Sequence, residues 1–417
     1  MKSSAVDLSR HITLQINALK LFGVWFYIPY TAKTFRFWFA ILSRVVLGIS
    51  VFVIPTGGQL VYAIRLIVSG NAEVQEVAGI MNLVLTELLA SLRLLDLRLR
   101  RDLLSRLADE LISEEFRCRS KPHTIILERA VRTSRWLFWG MLCSCVLDIT
   151  VHVIVVPALN GFRTLPLKMD LIWFDVNKEA YFNYIFIYQI IYKPMMLTTF
   201  VALSTLPWAA MSCAISQLDV LIYNFENMRE LVKATAVDRR CGGNEAFKEV
   251  FKGCVLHHRS IIRFIQIYRK RFRYRFVNMI QAAFGGQLSS TLFLNACIIC
   301  TTAVQIFSIE SPLKNISEVV WIFAYLAIIL CNLFIDCYFG NTLSVKVSGM
   351  HVAKVVFSCP WVDLPTESKK NVVLFIVETQ RPIVITAVKL VPVSFETFAK
   401  VMNWTYKGFA VMNQMKK

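Results

Sequence analysis

Long blocks of apolar residues alternate with polar connections along the 417-residue chain. About 20 apolar residues cross a bilayer as a helix, and a backbone in lipid has to satisfy its own hydrogen bonds. The pattern therefore predicts an all-α, polytopic membrane protein. The seven predicted transmembrane helices cover residues 37–63, 73–95, 133–157, 181–215, 276–307, 318–340 and 384–414, and the last is the most polar.

Basic residues fall mostly on alternate connections between these spans. Thirty-three Lys and Arg residues lie in residues 1–36, 96–135, 217–275 and 341–383. Only seven lie in the intervening connections, which are residues 64–72, 158–180, 308–317 and 415–417. Because basic loops are retained inside the cell, the sequence predicts a cytoplasmic N-terminus and an extracellular C-terminus. The sequon at Asn315 then lies outside, where glycosylation can occur.

Two of the basic connections are longer than simple loops need to be. Residues 217–275 and 341–383 have helical character, and residues 367–379 form a predicted short helix. We expect these connections to build a cytoplasmic helical anchor. The predicted organisation is thus a cytoplasmic segment, 1–36, followed by one seven-span domain, 37–417.

The composition agrees with a membrane protein. Hydrophobic residues make up 56% of the chain and charged residues 18%, whereas soluble domains carry about 45–50% apolar and about 25% charged residues. The net charge of +18 lies between the spans, so it does not predict nucleic-acid binding. The basic cluster Arg269–Arg275 marks the inner end of the fifth span, next to membrane lipids.

Patterns typical of catalysis are absent from the sequence. It contains no HExxH, GxSxG or P-loop motif. Cys297 and Cys300 form a CxxC in an apolar block without a second pair, which favours a packing role. We therefore expect no enzyme activity, no cofactor and no metal site. Five ionisable residues inside the spans are candidate functional groups that sequence alone does not pair: Arg44, Glu87, Asp148, Lys193 and Asp336.

The last predicted span carries one polar stripe. Its members recur at steps of three and four residues, namely Thr397, Lys400, Trp404, Lys407, Val411 and Gln414. Such a helix needs water or a partner on that face. Two interpretations remain open, a helix packed within its own bundle and the wall of a pore.

The C-terminal part of the chain carries an ordered series of short motifs. They are Gln287-Leu288-Ser289-Ser290, Cys337-Tyr338-Phe339-Gly340-Asn341, Trp361-Val362-Asp363-Leu364-Pro365, Gln380-Arg381-Pro382, Thr386-Ala387-Val388-Lys389, and Ser394-Phe395 with Phe398, Tyr406 and Phe409. In order, spacing and placement, roughly the last 170 residues resemble the insect odorant receptors, a family of seven-span ligand-gated cation channels. The sequence departs from the family pattern at Val388, where Gly is usual, and at Lys407, where Ser is common.

The resemblance implies an odorant receptor that works as the odorant-tuning subunit. Such a subunit binds a small volatile ligand and gates a non-selective cation channel in a heterotetramer with the odorant co-receptor (Orco). The implied location is the plasma membrane of a sensory-neuron dendrite. The alternatives are a gustatory receptor-like channel, which shares the layout, and a secondary transporter, which would also use ionisable residues inside its spans.

The resemblance also implies positions for the pore and the ligand. The pore helix covers about residues 390–414, and Trp404, Lys407, Val411 and Gln414 lie along the ion path, with Val411 and Gln414 at its narrowest part. In a second interpretation, Lys407 packs behind the pore wall. The pocket lies in the outer half, between the second, third, fourth and sixth spans. The candidate ligand-binding residues are Met81, Ile149, His152, Val153, Tyr184, Tyr188, Ile191, Trp321, Tyr325 and Ile328.

Overall fold

The computed structural model describes most of the chain. The described residues are 12–21, 35–70, 72–111, 116, 120–159, 165–171, 179–262, 276–309, 316–347, 350–362, 364–380, 386–387 and 391–415. The sequon at Asn315 and the basic cluster at 269–275 lie outside them, as do most of the predicted N-terminal segment 1–36 and the extreme C-terminus.

The described residues are mostly helical. The first eight helices are α1 (Thr13–Leu21), α2 (Phe35–Gly48), α3 (Ile54–Val68), α4 (Val74–Leu99), α5 (Arg101–Leu111), α6 (Lys121–Ile149), α7 (Val156–Leu159) and α8 (Glu179–Glu226). The others are α9 (Met228–Arg239), α10 (Gly243–Ile262), α11 (Phe276–Phe307), α12 (Ile316–Val347), α13 (Met350–Phe357), α14 (Thr366–Thr379) and α15 (Phe395–Met415). Short π-helical segments, Ile49–Val53 and Thr150–Val155, join α2 to α3 and α6 to α7.

Six helical segments of the described chain are long and apolar enough to cross a membrane. They are Ile41–Val68, Val74–Leu99, Lys121–Val155, Tyr181–Glu226, Met279–Phe307 and Val319–Phe357. The all-α membrane architecture is therefore confirmed, with six of the predicted spans recovered as long apolar helices. We call these helices the spanning bundle.

Helix α8 is the central element of the bundle. It runs for 48 residues through Pro194 and Pro207, and it packs against α1, α4, α6, α10, α11 and α12. In the most apolar 18-residue stretch of α8, 89% of the residues are buried. The corresponding share in the span that contains α6, Lys121–Val155, is 18%. Neighbouring helices therefore surround most of α8 beyond its first turns, in agreement with its apolar residues on every side.

The far end of α8 enters a second, smaller core. Phe225 and Met228 pack there with Phe251 of α10, Val356 of α13 and Phe375 of α14. We call this assembly of the last turns of α8 with α9, α10, α13 and α14 the terminal bundle. We call the opposite end of the spanning bundle, where α3 meets α4, the distal end.

The seventh predicted span is shorter than the sequence indicated. Thr386–Ala387 and Val391–Pro392 form two short antiparallel strands, β1 and β2, and α15 begins only at Phe395. Pro392 has no backbone N–H and cannot lie within a helix without losing a hydrogen bond. The predicted start at 384, and the pore-helix start at about 390, are therefore wrong by several residues.

Candidate functional site

A buried ion pair lies within the spanning bundle. The Lys193 Nζ of α8 lies 3.1 Å from the Glu87 Oε1 of α4, with 11% and 1% of the two side chains exposed. Two neutral donors of α3 also bind the carboxylate: the Thr56 hydroxyl at 3.0 Å and the Gln59 amide at 3.1 Å. The structure thus supplies a pairing that the sequence left open, and it satisfies a charge that would be costly alone.

A second carboxylate extends this polar group towards α12. Asp148 of α6 interacts electrostatically with Lys193 and lies near the Trp321 side chain of α12. The Lys193 ammonium also lies 5.9 Å from the centre of the Tyr192 ring. Charged groups from α4, α6 and α8 therefore meet beside an indole from α12.

Aromatic and polar side chains continue the site between α4 and α12. The rings of Trp321 and Tyr325 stack, with centroids 5.8 Å apart. The Tyr325 hydroxyl lies 2.5 Å from the Thr86 hydroxyl and donates to the Asn82 carbonyl at 3.2 Å. The Asn82 amide in turn donates to Gln305 of α11 at 2.9 Å. Thr86, Asn82, Tyr325 and Gln305 thus each bind a group on a neighbouring helix.

A deeper polar layer separates this site from the terminal bundle. Arg93 of α4 is 1% exposed. It donates to Thr291 at 2.8 Å and to Ser204, and its guanidinium lies 5.2 Å from the Phe200 ring centre. Asp336 is its electrostatic partner and accepts a hydrogen bond from Trp208 at 2.6 Å. This layer joins α4, α8, α11 and α12.

A covering segment, residues 165–171, closes the distal end. The Gln189 side chain of α8 holds it by two hydrogen bonds to the Leu167 backbone, of 2.9 and 3.0 Å. Asp170 pairs with Arg65 of α3 at 2.9 Å, and Lys168 pairs with Glu76 of α4 at 2.6 Å. The segment therefore links α3, α4 and α8 over the polar group described above.

The predicted ligand-binding residues divide into an inward and an outward group. The inward group contains two buried residues, Tyr325 and Val153. Its half-buried members are Met81, Ile149, Tyr188, Trp321 and Ile328. The Tyr188 hydroxyl donates to the Ser50 carbonyl, and its ring lies 5.0 Å from that of Tyr192. By contrast, Tyr184 and Ile191 of α8 are 75% and 59% exposed. The side chain of His152 lies outside the described residues.

The predicted pore residues lie along one side of α15. Trp404 is 65% exposed and Lys407 is exposed, whereas Val401 and Thr405 are buried where α15 packs against α11 and α12. The side chains of Val411 and Gln414 lie outside the described residues. The face that carries Trp404 and Lys407 has no covering element among the described parts of the chain.

Several residues of the site were not predicted. Thr56, Gln59, Asn82 and Thr86 bind the groups above, and their common signal is a polar side chain within an apolar span. That signal alone does not select them, because hydroxyl groups in helices commonly bind the carbonyl four residues earlier, as Thr198 does here.

Comparison with known proteins gives a consistent result. The family model of the 7tm odorant receptors matches residues 73–406. Odorant receptor 10 of Aedes albopictus is 21% identical over 63% of each chain. Odorant receptor 46a, isoform B, of Drosophila melanogaster is 18% identical over 82% of this chain and 84% of that one. The first of these alignments thus spans less than two thirds of the relative's length.

The fold is similar to that of a solved receptor. The olfactory receptor OR5 of Machilis hrabei superposes with a TM-score of 0.73 at 13% identity, over 98% of each chain. A structure of the same receptor in complex with eugenol superposes equally well.

Proposed function

Because this chain belongs to the 7tm odorant receptor family, we propose that it is an odorant-tuning subunit that binds a small volatile ligand and thereby opens a cation channel. The observation that carries the proposal is the aromatic pair Trp321–Tyr325 beside the buried charges of Glu87, Lys193 and Asp148. Apolar walls with a few placed polar groups are typical of small-molecule sites.

The proposed pocket lies at the distal end, beneath the covering segment. Its walls are the inward members of the predicted set, Met81, Ile149, Val153, Tyr188, Trp321, Tyr325 and Ile328, with His152 as a further candidate. The exposed Tyr184 and Ile191 lie at its outer margin. A relative's structure holds eugenol, so an aromatic volatile with an oxygen substituent is the first ligand to test.

The proposed channel is a heterotetramer with the odorant co-receptor in the plasma membrane of a sensory dendrite. The uncovered face of α15, with Trp404 and Lys407, supports this proposal because a pore wall faces other subunits and water. Val411 and Gln414 follow at helical steps on the same face and are proposed to line the narrowest part. Ligand binding favours the open state by binding that state more tightly.

Whole-cell recording of cells that express this chain with and without the co-receptor tests the function. Trp321→Ala should raise the concentration for half-maximal response to an active volatile roughly tenfold. This corresponds to a loss of about 1.4 kcal/mol of binding free energy. Phe323→Ala is the matched control, because Phe323 is 53% exposed two residues away on α12. Equal effects of the two variants, or full responses without the co-receptor, would contradict the proposal.

The pore assignment has a separate test. Lys407→Glu should raise permeability to divalent cations, and Val411→Ala should raise the resting current because a smaller ring of side chains dewets less readily. Tyr406→Phe serves as the control, since Tyr406 lies on another side of the helix. Unchanged permeability and resting current at normal surface expression would place the pore elsewhere.

The proposed topology puts the N-terminus in the cytoplasm and the distal end outside. It rests on the asymmetry of basic residues, 33 against seven. An epitope tag at the N-terminus should stain only after permeabilisation, and a tag at the C-terminus should stain on intact cells. The reverse result would overturn the orientation. As an independent test, a glycosidase should lower the apparent mass of the unmodified protein but not that of Asn315→Gln.

A further inference from the structure

A second cavity lies at the junction of the spanning bundle and the terminal bundle. It has a volume of about 380 Å³, within the range of small-molecule sites, about 300–1,000 Å³. Helices α6, α8, α9 and α10 line it, with Phe116 on a further side, and it is partly open to the outside. Its wall includes apolar side chains such as Leu127, Val220 and Leu231.

Two histidines fix the polar side of this cavity. The His123 Nε2 lies 2.7 Å from the Asn224 Oδ1, and the His257 Nε2 lies 2.9 Å from the Gln217 Oε1. The oxygen of each side-chain amide therefore already has a histidine nitrogen as its hydrogen-bond partner. The imidazole of His257 also meets the ring of Phe116 edge-on, with centroids 6.0 Å apart.

Two polar atoms on this wall have no hydrogen-bond partner among the described residues. Gln217 is only 1% exposed, yet its Nε2 makes no hydrogen bond to any described residue, and neither does the buried Ser120 hydroxyl. A buried donor without a partner costs about 1–3 kcal/mol. Both residues line the cavity, so an acceptor atom placed there would satisfy them.

The charge of the wall restricts the ligand. Glu249 is the one Asp, Glu, Lys or Arg side chain among the described residues that line the cavity, and it pairs with Arg239 at 2.6 Å on the exposed side. An anion would therefore be buried without a cationic partner, at a high cost. A neutral acceptor carries no such penalty.

We propose that this cavity is a second binding site, for a neutral molecule with a carbonyl oxygen and a compact apolar body. The carbonyl accepts from the Gln217 amide and the Ser120 hydroxyl, and the apolar body packs against Phe116, Leu127 and Val220. Two sources carry this chemistry, a free ester or ketone and the ester group of a membrane lipid.

This site is separate from the odorant site proposed above. Gln217 lies 24 residues after Lys193 along α8, which corresponds to roughly 36 Å at 1.5 Å per residue. The two sites both use helices α6 and α8, but they share no lining residue. The second site therefore stands whether or not the distal site binds an odorant.

Photolabelling of the purified full-length chain in lipid nanodiscs tests the site. One arm uses a short alkyl ester that carries a diazirine, and the other uses a phosphatidylcholine with a diazirine in its acyl chain near the ester. Adducts are mapped by mass spectrometry of the peptides from α6 and α10. We expect labelling of those peptides in at least one arm, and the arm that labels identifies the source.

Three variants decide the outcome. Gly253→Leu fills the cavity, because a Cβ at Gly253 meets no atom within 4 Å, and Gln217→Leu removes the donor. Each should reduce labelling roughly fivefold or more. In Gly253→Leu the leucine occupies the space of the ligand, and in Gln217→Leu the ligand carbonyl loses a hydrogen-bond donor. Lys252→Leu places the same side chain on the exposed side of α10 and should leave labelling unchanged.

Melting curves of the same samples check that each variant is folded. Gly253→Leu should fold as well as the unmodified chain, because Gly is a poor residue within a helix. No adduct in either arm, or equal labelling of the folded Gly253→Leu variant and the unmodified chain, would overturn the proposal.

Discussion

The spanning bundle and the terminal bundle distribute their charges in opposite ways. In the spanning bundle, Glu87 and Lys193 pair at the centre, with 1% and 11% of their side chains exposed. In the terminal bundle, Lys248 and Glu367 pair at the surface, with 50% and 75% exposed. The terminal core contains aromatic and aliphatic side chains such as Phe225 and Phe375.

The expected surroundings account for this difference, with lipid around the spanning bundle and water around the terminal bundle, whose basic connections predict a cytoplasmic location. Lipid is as apolar as a leucine side chain, so apolar burial does not hold spanning helices together, and hydrogen bonds and close packing do. In water, apolar burial is the dominant favourable term. The same chain therefore adds buried polar contacts to the apolar packing of α4 against α8, whereas an apolar core joins α8, α10 and α14.

The largest expected effect comes from breaking the central ion pair. Lys193→Met leaves the Glu87 carboxylate buried without its cation and should destabilise the protein by about 3–5 kcal/mol. Thermal unfolding of the purified protein, followed by size-exclusion chromatography, measures the change. Adding Glu87→Gln to this variant should recover much of the stability, since the carboxylate that Lys193 binds at 3.1 Å is then replaced by a neutral amide.

The surface pair provides the control for that experiment. Lys248→Met removes the partner of Glu367, whose pKa the hydrogen bond and charge of Lys248 hold below its usual value. Because both side chains are in contact with solvent, no measurable loss of stability is expected. Equal losses of thermal stability in Lys193→Met and Lys248→Met would show that the two bundles do not differ in this respect.

The next largest effect concerns the apolar core of the terminal bundle. Phe225 is 1% exposed, and its ring centroid lies 5.7 Å from that of Phe375. Phe225→Ala should leave a cavity and cost about 3 kcal/mol, measured by the same unfolding assay. Phe357→Ala should cost far less, because Phe357 is 67% exposed.

A smaller effect is expected where α12 meets the segment before α15. A Cβ at Gly340 would lie 2.5 Å from the Val393 carbonyl oxygen and 2.8 Å from the Val393 Cβ. Gly340→Ala should therefore displace β2 and cost about 2 kcal/mol. Gly57→Ala is the control, because its Cβ meets no atom within 4 Å. A neutral Gly340→Ala would show that this packing is looser than the structure indicates.

The smallest effect is one of reactivity rather than stability. Burial raises the pKa of the Cys359 thiol to about 11, so little thiolate forms at neutral pH and alkylation by a maleimide should be slow. Its rate should rise as the pH approaches that pKa. Cys241, half-exposed between α9 and α10, should react faster at neutral pH. In Phe225→Ala, Cys359 should react faster, because loss of the Phe225 ring opens the apolar core in which Cys359 also lies.

The apolar pattern predicted the helices well because their length follows from the thickness of a bilayer. The six long apolar segments correspond to the first six predicted spans, and the predicted short helix at 367–379 corresponds to α14. The start of the last helix could not be predicted in the same way. Short strands of two residues leave no periodic signal, and the pairing of Thr386 with Pro392 is a contact that local sequence does not encode.

Sequence by itself determined the class of protein, the spans and the family, because these depend on local composition, periodicity and short motifs. It also identified Glu87, Asp148 and Lys193 as ionisable residues within spans. Only the tertiary structure decided that Lys193 binds Glu87, that Trp321 approaches Asp148, and that Gln217 keeps an unpaired donor. Those contacts join residues up to 173 positions apart, and the packing of helices around α8 brings them together.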